Sequence, residues 1–558
     1  MTYRAPLTEM HFLLDHVLNA ARVAKTPRFA EADADTVAAI LGEAAKLAEN
    51  QLAPLNRAGD VHPARLENGI VHTSPGFPEG YRAIAEGGWI GMAAAEAHGG
   101  MGMPMFLTSC VNEILASACL SLSLNPLMCQ GQVEAIDAHA SEALKALYLP
   151  KLISGQWSGT MNLTEAQAGS DVGALASKAV PNDDGSYAVT GQKIFISWGD
   201  HDCAENIVHL VLARLPGAPG GTKGISLFIV PKFIPDEAGN LGVANSLHVV
   251  SLEHKMGLHG SPTAVMSYEG ATGWMVGEAG GGMAAMFTMM NNARLGVGIQ
   301  GLSQAELALQ KALAFAAERK QGRSPIAGGT GMILDHADVR RNLMVMKAQT
   351  QAARAICLDC AISLDLAHAN GDDAMQARAA FLTPIAKAFG TDTGCEVANL
   401  GVQVHGGMGY IEETGAAQVY RDARITAIYE GTNGIQAMDL VGRKLGDGGA
   451  AARALLAEIS ETADGSPELQ TSQTALTKAT EWMLGADMND RAAGAQPYLR
   501  AFALTLGGHY ALKAAAVDAA RKPLADFHLR QLMSAVPGLC KMACEGAAAL
   551  YADPLAAS

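Results

Sequence analysis

Positive charge is scarce in this chain: 40 Lys and Arg face 55 Asp and Glu over 558 residues, a formal net charge of −15. Nucleic acids and anionic membranes both reward a basic face, so neither is expected as a main partner. A local Arg or Lys cluster on such a surface can still hold phosphates. Cysteine is also sparse, nine in all, too few in so long a chain for a disulfide framework. Cys357 and Cys360 form a CxxC, and Cys540 and Cys544 stand four apart. A zinc ribbon needs two close CxxC pairs, so these are expected to be small buried hydrophobes in helices. No stretch approaches the roughly 20 apolar residues that span a bilayer. The opening "MTYRAPLTEMHFLLDHVLNAAR" carries acids and lacks the apolar core of a signal peptide. A soluble, cytoplasmic protein is expected.

Several catalytic signatures are missing as well. "QVHGGMGYIEE" (403–413) is glycine-rich, but it lies outside any βαβ unit and does not match the dinucleotide fingerprint. "GAPGGTKG" (217–224) fails as a P-loop because Lys223 is followed by glycine. No HExxH is present, and no GxSxG lies between a strand and a helix. Nicotinamide, NTPase, zincin and α/β-hydrolase chemistries therefore lose ground.

What is present is a generous apolar fraction, 49%, in a chain long enough for three or four structural units. Its texture changes along the way. Residues 1–156 read as helices, with apolar residues three and four apart in "DADTVAAILGEAAKLAENQLAPLNR" and "TSCVNEILASACLSLSLN". Residues 157–278 shorten their period to Val-, Ile- and Phe-rich runs such as "SYAVTGQKIFISW", separated by turn-formers, and predict a compact antiparallel β domain. Helical periodicity returns over 279–446 at lengths that suit a bundle. "LGDGGA" (445–450) reads as a linker to a helical extension over 447–558.

Three short stretches carry possible chemistry. "MNLTEAQAGSDVG" (161–173) offers Thr164, Ser170 and free backbone N–H groups around Gly169, a nest that suits phosphate or a ring heteroatom. "KIFISWGD" (193–200) places Phe195, Ser197 and Trp198 at a strand end, where the aromatics are either core or the lining of a flat heterocycle. "IYEGTNGIQ" (428–436) sets the single acid Glu430 directly before Gly431 and Thr432. Taken alone, that stretch fits a surface glutamate at a helix start more readily than a general base held on a narrow turn.

Taken together, "LTEAQAGSD", "GQKIFIS", "KMGLHGSPT", "QVHGGMGY" and "YRDARITAIYEGTNGIQ", in that order, resemble the acyl-CoA dehydrogenase family over roughly residues 35–445. The resemblance implies an α+β fold: an N-terminal α domain, a middle β domain and a C-terminal helix bundle, here with the extra helical domain. It implies FAD as cofactor, an acyl-CoA thioester as substrate and electron-transferring flavoprotein as acceptor. Carried over by position, Glu430 is the catalytic base. Met161, Asn162, Leu163, Thr164, Gly169, Ser170, Phe195 and Ser197 match positions that line the flavin. Arg319, Gln403, Gly407 and Thr432 match further FAD contacts, some reaching the flavin of a partner subunit. Ser170, Arg294, Glu430 and Gly431 match substrate contacts. No metal is implied. Some branches place the base just before the bundle arginine, but here that residue is Ala293.

The chain also departs from the family pattern. Ala166 replaces the usual proline, Phe195 the usual tryptophan, and Gly434 a polar residue near adenine. The ends resemble a bacterial branch that includes enzymes of the short thioether thioester 3-methylmercaptopropionyl-CoA, while relatives using short- or medium-chain fatty acyl-CoA share that architecture. The extension is expected to cover the face by which shorter relatives form tetramers, leaving a homodimer. The acyl-pocket wall is expected around residues 116–131 and near Arg294, with Met128, Met289 and Met290 read as core. An oxidase passing electrons to oxygen shares these motifs. A helical scaffold protein is the non-enzymatic alternative.

Overall fold

The computed structural model describes residues 3–552, apart from the side chains of residues 291 and 292. Residues 1–2 and 553–558, the outer ends of the first and last expected units, lie outside the described residues. The N-terminal region holds α1 (Leu7–Phe12), α2 (Ala21–Ala24), α3 (Ala34–Leu47), α4 (Ala53–Val61), α5 (Phe77–Glu86), α6 (Met105–His139) and α7 (Glu142–Ile153). Helix α3 starts where Asp33 accepts the Thr36 N–H at 2.8 Å, and it buries Val37, Leu41, Ala44 and Ala45 along one face. A small hairpin of β1 (Arg65–Glu67) and β2 (Ile70–His72) interrupts the helices. Its Asn68-Gly69 turn has φ +52° and +79°, the pairing expected of a tight hairpin turn.

Helix α6 overturns one expectation. By length and composition it could cross a membrane, yet 89% of its most apolar window is buried inside the protein. A helix apolar all round is also what a core element requires. Its course breaks at Cys119, whose φ/ψ of −155°/90° are non-helical, and Pro126 follows within the same stretch. Proline removes an N–H donor and crowds the preceding turn, back to Leu122, so the break at Cys119 lies upstream of its reach.

The middle region is a closed ring of strands rather than a purely antiparallel sheet. Its strands are β3 (Trp157–Asn162), β4 (Lys178–Pro181), β5 (Tyr187–Ser197), β6 (Asn206–Arg214), β7 (Ile225–Pro231), β10 (Leu247–Leu252) and β11 (Thr263–Val276). β8 (Phe233–Pro235) and β9 (Leu241–Ala244) form a separate hairpin. β11 pairs with β5, β5 with β4, β4 with β6, β6 with β7, and β7 returns to β11. β10 adds outside β11, and β3 lies parallel to β6. This pair and the β4–β6 contact at Lys178 and Arg214, also parallel, are the correction. The 43 residues between β3 and β6 supply the long crossover that the β3–β6 pair needs, which local periodicity does not reveal. Val211, Phe228, Val230, Met266 and Tyr268 fill the ring, while Leu210, Leu227 and Ile229 face the core shared with α6 and α7.

The bundle is built on α8 (Gly282–Glu318), α9 (Ala337–Asn370) and α10 (Asp373–His405), followed by α11 (Ala416–Ala423) and α12 (Asn433–Asp439). Helices α8 and α10 touch backbone to backbone. A Cβ on Gly301 would lie 2.4 Å from the Gly390 carbonyl oxygen. This close approach fixes the level at which the two helices meet beneath residues 429–433. The extension comprises α13 (Ala450–Thr462), α14 (Pro467–Gly485), α15 (Met488–Val517), α16 (Lys522–Phe527) and α17 (Val536–Ala543). It shares the bundle's core: Leu455, Leu476, Tyr498 and Phe502 join Leu358, Phe381 and Leu382 in one cluster. Arg378 on α10 also pairs with Asp359 on α9 at 2.6 Å and with Glu458 on α13 at 2.7 Å. Tyr510 on α15 donates to Asp359 at 2.6 Å.

Candidate active site

The acid-bearing turn follows from its neighbours. Helix α11 carries the "YRDAR" patch, and Arg421 there bonds Asp60 of α4 and Glu412 at 2.7 Å each, locking the bundle to the N-terminal region. Asp422 is buried and accepts the Leu258 N–H at 2.6 Å, with burial pushing its carboxyl up to about 6. The chain then turns, and Thr432 caps α12 by accepting the Ile435 N–H at 3.3 Å. Between them Glu430 has φ +56° and Gly431 φ +84°. A left-handed conformation costs a non-glycine residue about 1–2 kcal/mol, so the surroundings must impose it.

Glu430 is half-buried, and its Oε2 is buried without a hydrogen-bond partner. Burial pushes its carboxyl up to about 7, against the pull of the Arg294 and Lys387 cations. Arg294, on α8, is buried and donates to Asp439 at 3.2 Å, while its Nε has no partner. Lys387, on α10, donates to Asn433 Oδ1 at 2.9 Å, and burial lowers its ammonium to about 8. Asn433 in turn donates to Asp392 at 2.6 Å. The Tyr429 hydroxyl bonds Gln300 on α8. Fully buried Gln436 donates from Nε2 to the carbonyls of Glu430 and Gly431, at 3.3 and 3.4 Å. The site is therefore a single carboxylate on a strained turn, flanked by two buried cations.

The β domain presents a second surface. The Ile194 N–H donates to the Thr164 carbonyl at 2.9 Å, which sets Leu163 and Thr164 beside the end of β5. Lys193 seals the junction from inside, bonding Glu165 at 2.8 Å and the Leu163 carbonyl at 3.1 Å. Glu165 also accepts the N–H groups of Ala176 and Ser177, at 2.7 and 3.1 Å. Buried though it is, these partners hold its carboxyl down at about 2. At Phe195 the β5–β11 register shifts, φ is +61°, and the ring is 60% exposed. Bulges re-aim side chains in this way. Trp198, by contrast, is fully buried and donates to the Ser121 carbonyl at 3.1 Å. Of the two candidate aromatics, only Phe195 is open to a ligand.

Met161, Leu163, Thr164 and Ser197 are half-buried along this edge, while Gly169 and Ser170 are exposed beyond it. The Asn162 side chain faces inward, bonding Thr160 at 2.8 Å and accepting from Tyr268 at 2.8 Å, so it offers a ligand only its backbone. A Cβ at Gly169 or Gly407 would meet nothing within 4 Å. Along this edge an exposed aromatic face, hydroxyls and the open Gly169 fit a flat ring carrying a phosphate tail.

Arg319, Gln403 and Gly407 are placed elsewhere. They are exposed at the far end of the bundle, where Phe315 stacks on His405 with ring centres 4.5 Å apart. Measured along the helices from the residues that meet 429–433, Gln403 lies about 18 Å away and Arg319 about 28 Å at 1.5 Å per residue. The structure thus brings Glu430, Gly431, Thr432 and Arg294 together and leaves these three apart. Met128 and Met289 are core, with Met290 packed against them. Cys357 and Cys360 are buried thiols pushed up by burial, and no group of three His, Cys, Asp or Glu suited to a metal occurs among the described residues.

Sequence reasoning passed over Lys193 and Glu165, Lys387 with Asn433, and Gln436. The first pair had a readable signal, since a lysine in an apolar strand next to an acid-bearing loop is costly to bury unpaired. The others depend on which helices meet at residues 387–392.

Comparison with known proteins shows the family of the chain. The chain matches the acyl-CoA dehydrogenase N-terminal domain over residues 35–156, the middle domain over 160–271 and the C-terminal domain over 280–445. It is 44% identical to 3-methylmercaptopropionyl-CoA dehydrogenase of Ruegeria pomeroyi, across 93% of this chain and 92% of that one. It is 34% identical to the broad-specificity linear acyl-CoA dehydrogenase FadE5 of Mycobacterium tuberculosis, across 89% and 84% of the two chains. Its fold matches that of Caenorhabditis elegans ACDH-11, solved in complex with C11-CoA, with a TM-score of 0.78 at 21% identity over 95% of this chain and 91% of the other. The chain belongs to the acyl-CoA dehydrogenase family and is an FAD-dependent oxidoreductase.

Proposed function

We propose that this enzyme introduces the α,β double bond into a short acyl-CoA thioester, with Glu430 as the base that takes the α-proton. The observation that carries this reading is the half-buried Glu430 carboxylate, with one oxygen unpartnered on a turn of positive φ. A carboxylate poised near neutrality is matched to proton abstraction at physiological pH. Neither the Glu430 nor the Gly431 N–H donates a hydrogen bond among the described residues, and Glu430 N–H is assigned to the thioester carbonyl, where negative charge develops. Arg294 and Lys387 hold positive charge behind the base. Arg294 and Gly431 line the substrate side, together with Ser170.

Phe195 and Ser197 are assigned to the flavin ring, and Thr164, Gly169, Ser170 and the backbone of residues 161–163 to its tail. When bound, FAD supplies the acceptor for the β-hydride. A homodimer completes this site: a second copy contributes its Arg319, Gln403 and Gly407 end to the half-site around Phe195 and Thr432. The extension, packed on α9 and α10, covers the face that a tetramer would use. Electron-transferring flavoprotein is the proposed acceptor and the cytoplasm the proposed location.

The proposed substrate is 3-methylmercaptopropionyl-CoA, converted to methylthioacryloyl-CoA in dimethylsulfoniopropionate demethylation. Support comes from the 44% identity to the Ruegeria enzyme, which spans 93% of this chain, more than the three family domains alone. Anaerobic titration with 3-methylmercaptopropionyl-CoA, butyryl-CoA and octanoyl-CoA tests this by flavin absorbance. Fastest bleaching by the thioether substrate is expected. Preference for octanoyl-CoA would reassign the enzyme to fatty-acid oxidation.

A further inference from the structure

The Glu430–Gly431 turn combines features that a buried catalytic carboxylate cannot sustain alone. Two consecutive residues have positive φ, the first of them not glycine. Their carbonyl oxygens must point somewhere specific if the N–H groups are to face the substrate. Only one side chain is aimed at both carbonyls among the described residues. Gln436 lies one turn into α12, has no exposed surface, and shares its Nε2 between the two oxygens at 3.3 and 3.4 Å. A Cβ on Gly431 would come within 2.9 Å of that same Nε2, so glycine there makes room for the contact. Gln436 Oε1 is buried without a partner. Leaving a buried acceptor unpaired costs about 1–3 kcal/mol. A side chain chosen only to fill space would more cheaply be leucine or methionine.

We propose that Gln436 is a positioning residue for the reaction: its amide fixes both peptide planes of the Glu430–Gly431 turn, and thereby aims the Glu430 carboxylate at the α-carbon and the Glu430 N–H at the thioester carbonyl. The inference rests on the assignment of Glu430 as base. It does not place Gln436 in contact with substrate or flavin. The helix ties the device together, because Thr432 caps it and Asn433 anchors its first turn to Lys387 and Asp392. The turn is thus held from its C-terminal side by one short helix.

The test uses the FAD-loaded enzyme with Gln436→Met, which keeps volume but removes the amide, and Gln436→Glu, which keeps shape. The limiting rate of flavin bleaching by a saturating acyl-CoA thioester should fall about 10- to 100-fold in Gln436→Met, a range set by misplacement of a catalytic group. FAD content and affinity for the enoyl-CoA product should stay within twofold. The α-deuterium isotope effect should rise, since the misaimed base slows proton abstraction specifically. In Gln436→Glu the neutral acid retains an O–H donor and the anion does not, so the bleaching rate relative to wild type at the same pH should be partly restored at low pH and lost at high pH. Rates within twofold of wild type in both variants, with an unchanged isotope effect, would overturn the proposal. So would a slowed rate explained wholly by lost FAD. Glu430→Gln run in parallel separates the two levels: if that variant is reduced normally, the base assignment fails, whereas an inactive Glu430→Gln beside fully active Gln436 variants rejects only the positioning role.

Discussion

The two surfaces assigned to the active site are built on opposite principles. On the β-domain side the buried ion pair is satisfied internally: Lys193 is fully buried against Glu165, and Glu165 accepts two backbone N–H groups besides. On the bundle side, Glu430 Oε2, Arg294 Nε and Gln436 Oε1 are all buried without partners, and the backbone at Glu430 is strained. The first pair is complete without a ligand, which suits the proposed support of a permanently held cofactor. The second surface keeps unsatisfied polar groups, which suits the proposed grip on a transient reactant. Complete internal pairing of these groups would bind the base as firmly in the resting enzyme as in the transition state.

Removing Lys193 attacks the first surface most severely. Lys193→Met leaves the buried Glu165 carboxylate without its cation, at a cost of about 3–5 kcal/mol. Urea denaturation should show that loss, and the ratio of flavin to protein absorbance should drop. The pair also sets an acid limit. Because the folded Glu165 pKa is depressed to about 2, its contribution is present above the ordinary carboxylate value and lost as pH falls through 4 towards 2. A Lys193→Met enzyme with normal stability and full FAD would erase the contrast between the two surfaces.

On the second surface, Gly431→Ala forces a Cβ into left-handed backbone, 2.9 Å from Gln436 Nε2. Flavin reduction should slow about tenfold for a misplacement of this kind, with FAD retained. Stopped-flow bleaching rates decide, and an unchanged rate would mean that the turn tolerates movement. The pH dependence follows from the same burial. Glu430 must be ionised to act and its carboxyl is pushed up to about 7, so the reduction rate should rise with pH through an acid limb near 7. Stability runs the other way: a raised folded pKa gives a contribution present below the unfolded value and lost as pH rises through 7. Glu430→Gln should accordingly melt higher than wild type at pH 8 and alike at pH 4.

Much of this architecture was legible before the coordinates. The helix–strand–helix order follows from periodicity, and "YEGT" already isolated Glu430. Reading residues 1–156 as helices passes over the Asn68-Gly69 hairpin, because the helical pattern dominates that region. What periodicity could not supply were long-range meetings. The parallel β3–β6 pair depends on a crossover, and the Lys387–Asn433–Asp392 chain depends on the level at which α8 and α10 lock through Gly301 and Gly390. Nor could an apolar run distinguish a membrane span from α6, because both demand hydrophobicity on every side. The orphaned atoms were the least legible feature, since an absence of partners exists only once all neighbours are placed.

The smallest expected effect lies farthest from the site. Tyr510→Phe removes the hydroxyl that joins α15 to Asp359, a bond to a charged group worth about 1.5 kcal/mol. The melting temperature should fall slightly while flavin reduction stays unchanged. A slowed reduction there would show that the extension is coupled to the turn, and would blur the division drawn between support and active surface.

The most direct test of the account is anaerobic mixing of purified Glu430→Gln with 3-methylmercaptopropionyl-CoA or butyryl-CoA, followed by flavin absorbance. General-base contributions of about 10² to 10⁴ in rate predict an enzyme that stays yellow on the timescale of wild-type bleaching while keeping its FAD. Bleaching at the wild-type rate would show that the proton is taken by another group, and the reading of this turn as the catalytic centre would be wrong.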